Sequence, residues 1–312
     1  MYFRKGSCFR SSRYKWNKKI GKTDVYISDE DKDKGIRDIK TLKELASRIA
    51  GQYVYYDKEP KNGKINFYSK INGLLKIDPS KLYRINLEGV VILYSKQNDF
   101  PVHSDNRICT LKMISENSTH TNIEKTSKLL EKPLLWIKKY TNKRVSLVTV
   151  ENDVFTGIKD NLFFAKINDK VKPFGSLITF AEIVPEDITC ISKAIERGSQ
   201  SSDVVIITGS LLDKSNEIVY QAMKESGFEP TSRSLPMEPG SNFMIGNNTH
   251  KIICTIPPSI LKYKATALDV FLPKIFAGET VPIEEIAKYG YGELCHYCNI
   301  CISPICTFDK CL

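Results

Sequence analysis

Five cysteines fall at the chain's end: Cys295, Cys298, Cys301, Cys306 and Cys311, in the pattern C-x2-C-x2-C-x4-C-x4-C. Thiols this close together, in a tail too short to form a core, are poorly explained by packing. Four thiolates in a tetrahedral array suit Zn2+ or an iron–sulfur cluster. Two residues between the first three thiols let one tight turn aim three sulfurs inward, and Cys306 or Cys311 supplies a fourth. The x4 interval and the placing of Pro304 before Cys306 depart from the bacterial iron–sulfur run, so the expectation leans to zinc. His296 leaves the ligand set open, and an unliganded, redox-reactive tail is the plain alternative. Cys8, Cys109, Cys190 and Cys254 are scattered, and the last two sit in apolar contexts suited to small buried hydrophobes.

Other catalytic frames are missing. The four histidines are His103, His120, His250 and His296, and none stands in an H-E-x-x-H arrangement. No G-x-S-x-G elbow, P-loop or G-x-G-x-x-G after a strand occurs. A nucleophile-based hydrolase has no support.

The elements ahead of the tail alternate. From Arg144, RVSLVTV and GSLITFAEIV read as strands, and ITCISKAIERGS as a helix ended by Gly198. DVVIITG is a near-continuous apolar run, the mark of a strand buried on both faces. SNEIVYQAMKESG reads as a helix capped by Ser215 and stopped by Gly227. HKIICTI is a further buried strand, and ILKYKATALDVFLPKIFAG a closing helix. This order predicts a mostly parallel α/β sheet covered on both faces. Ligands in such sheets bind beyond the carboxyl ends of the strands, here Thr208-Gly209-Ser210 and Pro257-Pro258-Ser259.

Upstream the pattern is mixed. Thr41–Ala50 has helical spacing with Gly51 as its stop, KINFYSKI and GVVILYS read as strands, and Asp78-Pro79-Ser80 turns into a short helix. NIEKTSKLLEKPLLWIKKYT reads as one helix kinked or divided at Pro133. SENSTHTN is a loop, and the main boundary falls near Asn142. With 312 residues, 41% hydrophobic and 26% charged, the chain has enough apolar material for two packed domains. No run is long enough to span a bilayer, and no apolar segment follows the basic start as a secretory signal requires. An odd number of cysteines without an export signal reads as a reduced, cytoplasmic protein.

The net charge of +10 is concentrated: residues 1–20 hold seven Lys/Arg and no acid, leaving +3 for the rest. With Phe3, Phe9, Tyr14 and Trp16 interleaved, this stretch has the make-up of a nucleic-acid arm. The plainer reading, which we favour, is a set of core aromatics with lysines snorkelling around them.

DVVIITGS with its following loop and helix resembles the T-G-G-x-S element of molybdopterin-binding domains in molybdenum-cofactor biosynthesis proteins. MEPGSNFMIG resembles that domain's P-G-x-x-x element, HKIICTIPPS its L-P-G loop, and the helix ending FLPKIFAGE its terminal helix. INGLLKIDPSKLYRIN and the tail GYGELCHYCNICISPICTF extend the likeness to a larger bacterial architecture. The resemblance implies a pocket for molybdopterin or a related pterin, with Thr208, Gly209, Ser210, Asp213, Gly240, Pro257 and Ser259 as its ligand contacts. Gly209 and Gly240 would let backbone N–H groups approach an anion, and Gly209→Val would abolish binding with modest loss of stability. Departures are plain: Ser210 and Leu212 stand where the family has Gly and Ser, Pro258 replaces the loop glycine, and Val150-Glu151-Asn152 replace a Thr-Gly pair. Most of these remove a phosphate donor or a carboxylate, which points to binding rather than adenylylation or metal insertion.

The expectation is therefore a three-layer α/β/α molybdopterin-binding-like domain (143–280), a smaller N-terminal α+β module (1–142) and a Cys-rich metal-binding tail (281–312). The partner is a pterin, with neither membrane nor nucleic acid, and homo-oligomerisation left open. The competing readings are a structural or interaction protein with a decayed pocket, and nucleic-acid binding through the basic N-terminus.

Overall fold

A computed structural model of the chain describes residues 32–114, 120–209, 211, 213–249, 251–291, 294–295, 298 and 300–301, with side chains from residue 38 on, except those of 213 and 214. The basic stretch 1–20 lies outside them. Among the described residues, no helix is long and apolar enough to cross a membrane.

The N-terminal part begins with helix α1 (Lys32–Ile49), whose Leu42, Leu45, Ala46 and Ile49 form one buried stripe. Strands β1 (Val54–Tyr56), β2 (Lys64–Ser69), β4 (Val91–Ser95) and β6 (Arg107–Met113) make an antiparallel sheet in the order β1-β2-β6-β4. A second antiparallel sheet joins β5 (Pro101–Val102), β3 (Gly73–Ile77) and β7 (Leu135–Lys139). Helix α2 (Pro79–Glu88) starts as the sequence predicts: Asp78 accepts a hydrogen bond from the Lys81 N–H, and Pro79 occupies the first turn. Helix α3 (His120–Leu129) is shorter than expected. LEKPLLWIKKY does not continue it, because Leu135, Trp136 and Ile137 pair with Ile77, Lys76 and Leu75 in β7.

The second part is a six-stranded sheet of order β11-β12-β13-β10-β8-β9. Its members are β8 (Arg144–Val150), β9 (Leu177–Val184), β10 (Val204–Gly209), β11 (Glu229–Pro230), β12 (Ile245–Asn247) and β13 (Ile252–Ile256). The four strands β13, β10, β8 and β9 are parallel, and β12 and β11 add antiparallel. Alternate residues feed two cores. Val145, Leu147, Val204, Ile206, Cys254 and Ile256 pack under α5 (Phe163–Val171), α8 (Ser259–Lys262) and α9 (Ala267–Phe276). Val148, Val150, Val205, Ile207 and Ile253 pack under α6 (Ile188–Ser201) and α7 (Asp213–Glu225). The layers are α/β/α, as the alternation requires. Short α4 (Asn152–Phe155) follows β8, and α10 (Ile283–Lys288) follows α9.

Three local readings are revised. Gly198 does not end α6, which runs on to Ser201; a Cβ there would stand 3.0 Å from that of Ser146, so the glycine permits helix-on-sheet contact. Ser215 lies inside α7 and hydrogen-bonds the Glu186 carboxylate. The closing helix is two helices, α9 beginning afresh with a Thr266/Asp269 capping box.

Candidate functional site

Strand β8 connects through α4 and α5 to β9 on one side. β9 connects through α6 to β10 on the other. The winding reverses at the carboxyl ends of β8 and β10, the position where open α/β sheets form a crevice. A cavity of about 470 Å³ opens beside this point, within the range of small-ligand sites. One wall comes from the segment after β8: Glu151, Val154, Ile158, Lys159, Asp160, Leu162 and Phe163. Pro258 and Leu261, beyond β13, form the other.

The β8 wall is held by its own polar contacts. Asn161 donates to Thr149 Oγ1 at 3.2 Å and accepts from the Phe163 N–H at 3.1 Å, fixing the entry to α5. Asn152 accepts from the Glu186 N–H at 3.0 Å. Ile158 and Leu162 remain largely exposed at the mouth, while Phe163 is buried at the floor. Glu151 occupies the N-cap of α4 without capping it. Its side chain is only 15% exposed, and its nearest cation, Lys159 Nζ, stands 3.8 Å away. That amine is committed to Asp153 at 2.6 Å, and the Asp153 hydrogen bond holds its pKa above the usual lysine value.

Of the residues singled out from sequence, Pro258 lines the cavity, while the described residues Thr208, Gly209, Gly240, Pro257 and Ser259 are not among its lining residues. Thr208 is fully buried, and its hydroxyl donates to the Ile256 carbonyl at 3.1 Å. Gly209, with φ +130°, brings β10 so close to β8 that a Cβ would stand 2.0 Å from the Val150 oxygen. The loop bearing Gly240 reaches the same end of the sheet, where Asn242 Nδ2 donates to the Leu211 carbonyl at 3.4 Å. Gly240 itself has φ +127° and sits against Ala267, where a Cβ would come within 2.6 Å of another. The N-terminus of α9 beside it is closed by its own Asp269, which also pairs with Lys170 at 2.5 Å. Pro257 is buried at the end of β13. Ser259 has a hydroxyl oxygen that is buried and unpartnered among the described residues, next to the wall residue Pro258. Ser210 and the Asp213 side chain lie outside the described residues.

Reasoning from sequence misses Glu151, Ile158, Phe163 and Leu261 as contacts. The signal that could find the first is a carboxylate directly after a strand buried along its length, since such positions face the crevice.

In the tail, the Cys295 N–H donates to the Glu238 carbonyl at 2.9 Å, and Leu294 bridges to Glu238. Cys295 and Cys301 pack against the α/β core, and Cys298 is exposed. Among the described residues, no three metal-ligating side chains converge. Cys306, Cys311 and His296 lie outside them.

No family model matches the sequence, and no curated protein does. Among solved structures, the chain is similar to the CinA protein of unknown function from Thermoplasma acidophilum, at 18% identity and a TM-score of 0.35, over 43% of this chain and 98% of that one. It is similar to the molybdopterin biosynthesis enzyme MoaB from Thermus thermophilus, at 19% identity and a TM-score of 0.35, over 44% and 98%. A molybdopterin biosynthesis MoeA protein from Pyrococcus horikoshii is similar over 80% of this chain and 79% of its own, at 12% identity and a TM-score of 0.35.

Proposed function

We propose that the α/β domain binds a pterin of the molybdopterin type and serves molybdenum-cofactor handling as a binder. The observation that carries this is the cleft at the winding reversal of β8 and β10, bounded by Phe163 below and by Pro258 and Leu261 opposite. The apolar part of its lining, Val154, Ile158, Leu162, Phe163, Pro258 and Leu261, suits a flat heterocycle. The sequence resemblance names the heterocycle, and the changes around Ser210, Leu212 and Pro258 argue against a reaction centre. Titrating the full chain with a pterin, read by quenching of its fluorescence, tests the reading. Ile158→Trp, at a position 74% exposed, fills the mouth at little cost to the fold. It is expected to weaken binding about tenfold, a change of about 1.4 kcal/mol. A wild-type chain that leaves pterin fluorescence unchanged overturns the reading and favours a decayed pocket.

For the tail we propose one metal ion on Cys295, Cys298, Cys301 and either Cys306 or Cys311, with zinc ahead of an iron–sulfur cluster; the ion would have to draw together three thiols that do not converge in the structure. What supports it is the C-x2-C-x2-C spacing. Bound there, the ion would act as a structural clasp. Near-stoichiometric metal in the purified chain, absent after Cys298→Ser with Cys301→Ser, is expected. Metal retained by that double variant overturns the ligand assignment.

A further inference from the structure

The cleft carries a carboxylate, Glu151, whose one ion-pair partner among the described residues, Lys159, stands too far away to donate a hydrogen bond. Glu151 stands at the N-cap of α4, yet its side chain makes no cap hydrogen bond. Lys159, at 3.8 Å, is beyond hydrogen-bonding distance and is held by Asp153. Among the described residues no donor reaches the Glu151 oxygens, although the side chain is only 15% exposed. A partly desolvated carboxylate without donors is costly unless a ligand supplies them. Asp160 adds a second negative charge to the wall, and the wall's one cation, Lys159, is already neutralised by Asp153. The site is therefore set against an anion and in favour of a group that offers N–H donors.

We propose that Glu151 is the specificity-determining residue of this cleft. It accepts two parallel hydrogen bonds from the ring N–H and the adjacent amino group of a 2-amino-4-oxo pteridine. This rests on the pterin reading above and deepens it, since it states which edge of the ligand is read. A carboxylate taking two parallel N–H donors has the fork geometry that makes charge-assisted pairs selective. The ring lies on the apolar residues Phe163, Pro258 and Leu261, and any phosphate stays at the open mouth, where this acidic wall gives it nothing. A site that pairs a polar edge rejects an analogue lacking it more strongly than an apolar slot rejects an extra group.

The test titrates the full chain with two uncharged probes: pterin, and lumazine, which has an oxo group in place of the 2-amino group. Wild type is expected to prefer pterin by about tenfold or more. Glu151→Gln keeps the side-chain shape but puts a donor at one oxygen position; it is expected to bring the two affinities within about threefold. Glu151→Asp, which withdraws the carboxylate by one methylene, should keep part of the preference. Equal binding of pterin and lumazine by wild type, or a preference that survives Glu151→Gln, overturns the role of Glu151 while leaving a pterin site in place. Loss of pterin binding in Ile158→Trp with no effect of Glu151→Gln overturns it in the same way. A wild type that binds neither probe overturns the pterin reading itself, and this inference with it.

Discussion

Gly209 shows how a residue read as a ligand contact acquires a second meaning from its neighbours. A loop glycine offers backbone access to an anion, and on that basis Gly209→Val would cost little stability. The structure corrects this: at φ +130°, with Val150 O only 2.0 Å from where a Cβ would stand, any side chain forces β10 away from β8. Gly209→Ala is expected to destabilise the protein by about 3 kcal/mol, combining backbone strain with a main-chain clash. Urea denaturation followed by circular dichroism measures it, and a midpoint equal to wild type would contradict the close approach. Lost ligand binding in that variant would then report on the sheet, not on the site. The cysteines divide in the same local way. Burial pushes the thiols of Cys109 and Cys254 up to about 12, so they stay protonated at neutral pH. In chelator-treated protein at pH 8, maleimide should label Cys298 quickly and leave Cys109 and Cys254 unmodified until the chain is unfolded. Prompt labelling of Cys254 in folded protein would show that the sheet opens.

At the level of elements, legibility follows the strength of the periodic signal. Strand β10 is readable because all six of its residues are buried and apolar or small, a run that only a central parallel strand explains. Helix α2 is readable from its cap: Asp78 binds the Lys81 N–H at 2.9 Å and Pro79 sets the first turn. Asp78→Ala is expected to cost about 1 kcal/mol, measured by thermal or chemical denaturation, and no measurable loss would show that the cap is redundant. Strand β7 is easily mistaken for helix because LLWIKK carries helical spacing as well as alternation, and only its pairing with β3 decides between them. Pro133 is the better guide, ending one element rather than kinking it. The cleft itself is half legible. Strand ends locate it, but its walls come from a segment after β8 whose Ile158 and Leu162 have no periodicity to mark them. Glu151 becomes notable only once its isolation from donors is seen.

At the scale of the whole molecule, the two parts are joined by an ion network that the sequence does not announce, since its members are far apart in the chain. Lys274 of α9, 5% exposed, pairs with Asp99 at 3.0 Å and with Glu285 of α10. Asp99 also takes Lys76 of β3 at 2.5 Å. Glu279 in turn binds Lys138 of β7 at 2.6 Å and Lys76 at 3.4 Å. Burial pushes the Asp99 carboxyl up, but Lys274 and Lys76 outweigh it and hold the group below its ordinary value. Glu279 is lowered likewise, Lys138 and Lys76 prevailing over burial. For Lys274, burial works downward and is overcome by Tyr289, Asp99 and Glu285, leaving its amine raised. The carboxylates contribute stability above their unfolded values, about 4, and lose it as pH falls through the lower folded values. The lysine contributes fully below about 10 and loses its share as pH rises through its raised folded value. Between those limits the network links the part whose core holds Leu75 to the part whose core holds Phe271, and the two are expected to unfold as one unit. Lys274→Met removes a buried partner and strands carboxylates, which costs about 3 kcal/mol near pH 7. Calorimetry should show the N-terminal part and the α/β part melting as one transition in wild type and separating in Lys274→Met. The stability difference between the two proteins should shrink as pH falls from about 4 through the lowered folded value of Asp99, the Lys274 partner, because that carboxyl then protonates in both. A difference that stays constant from pH 7 to pH 3, with a single transition in each protein, would mean that the two parts are joined by apolar packing and not by charge.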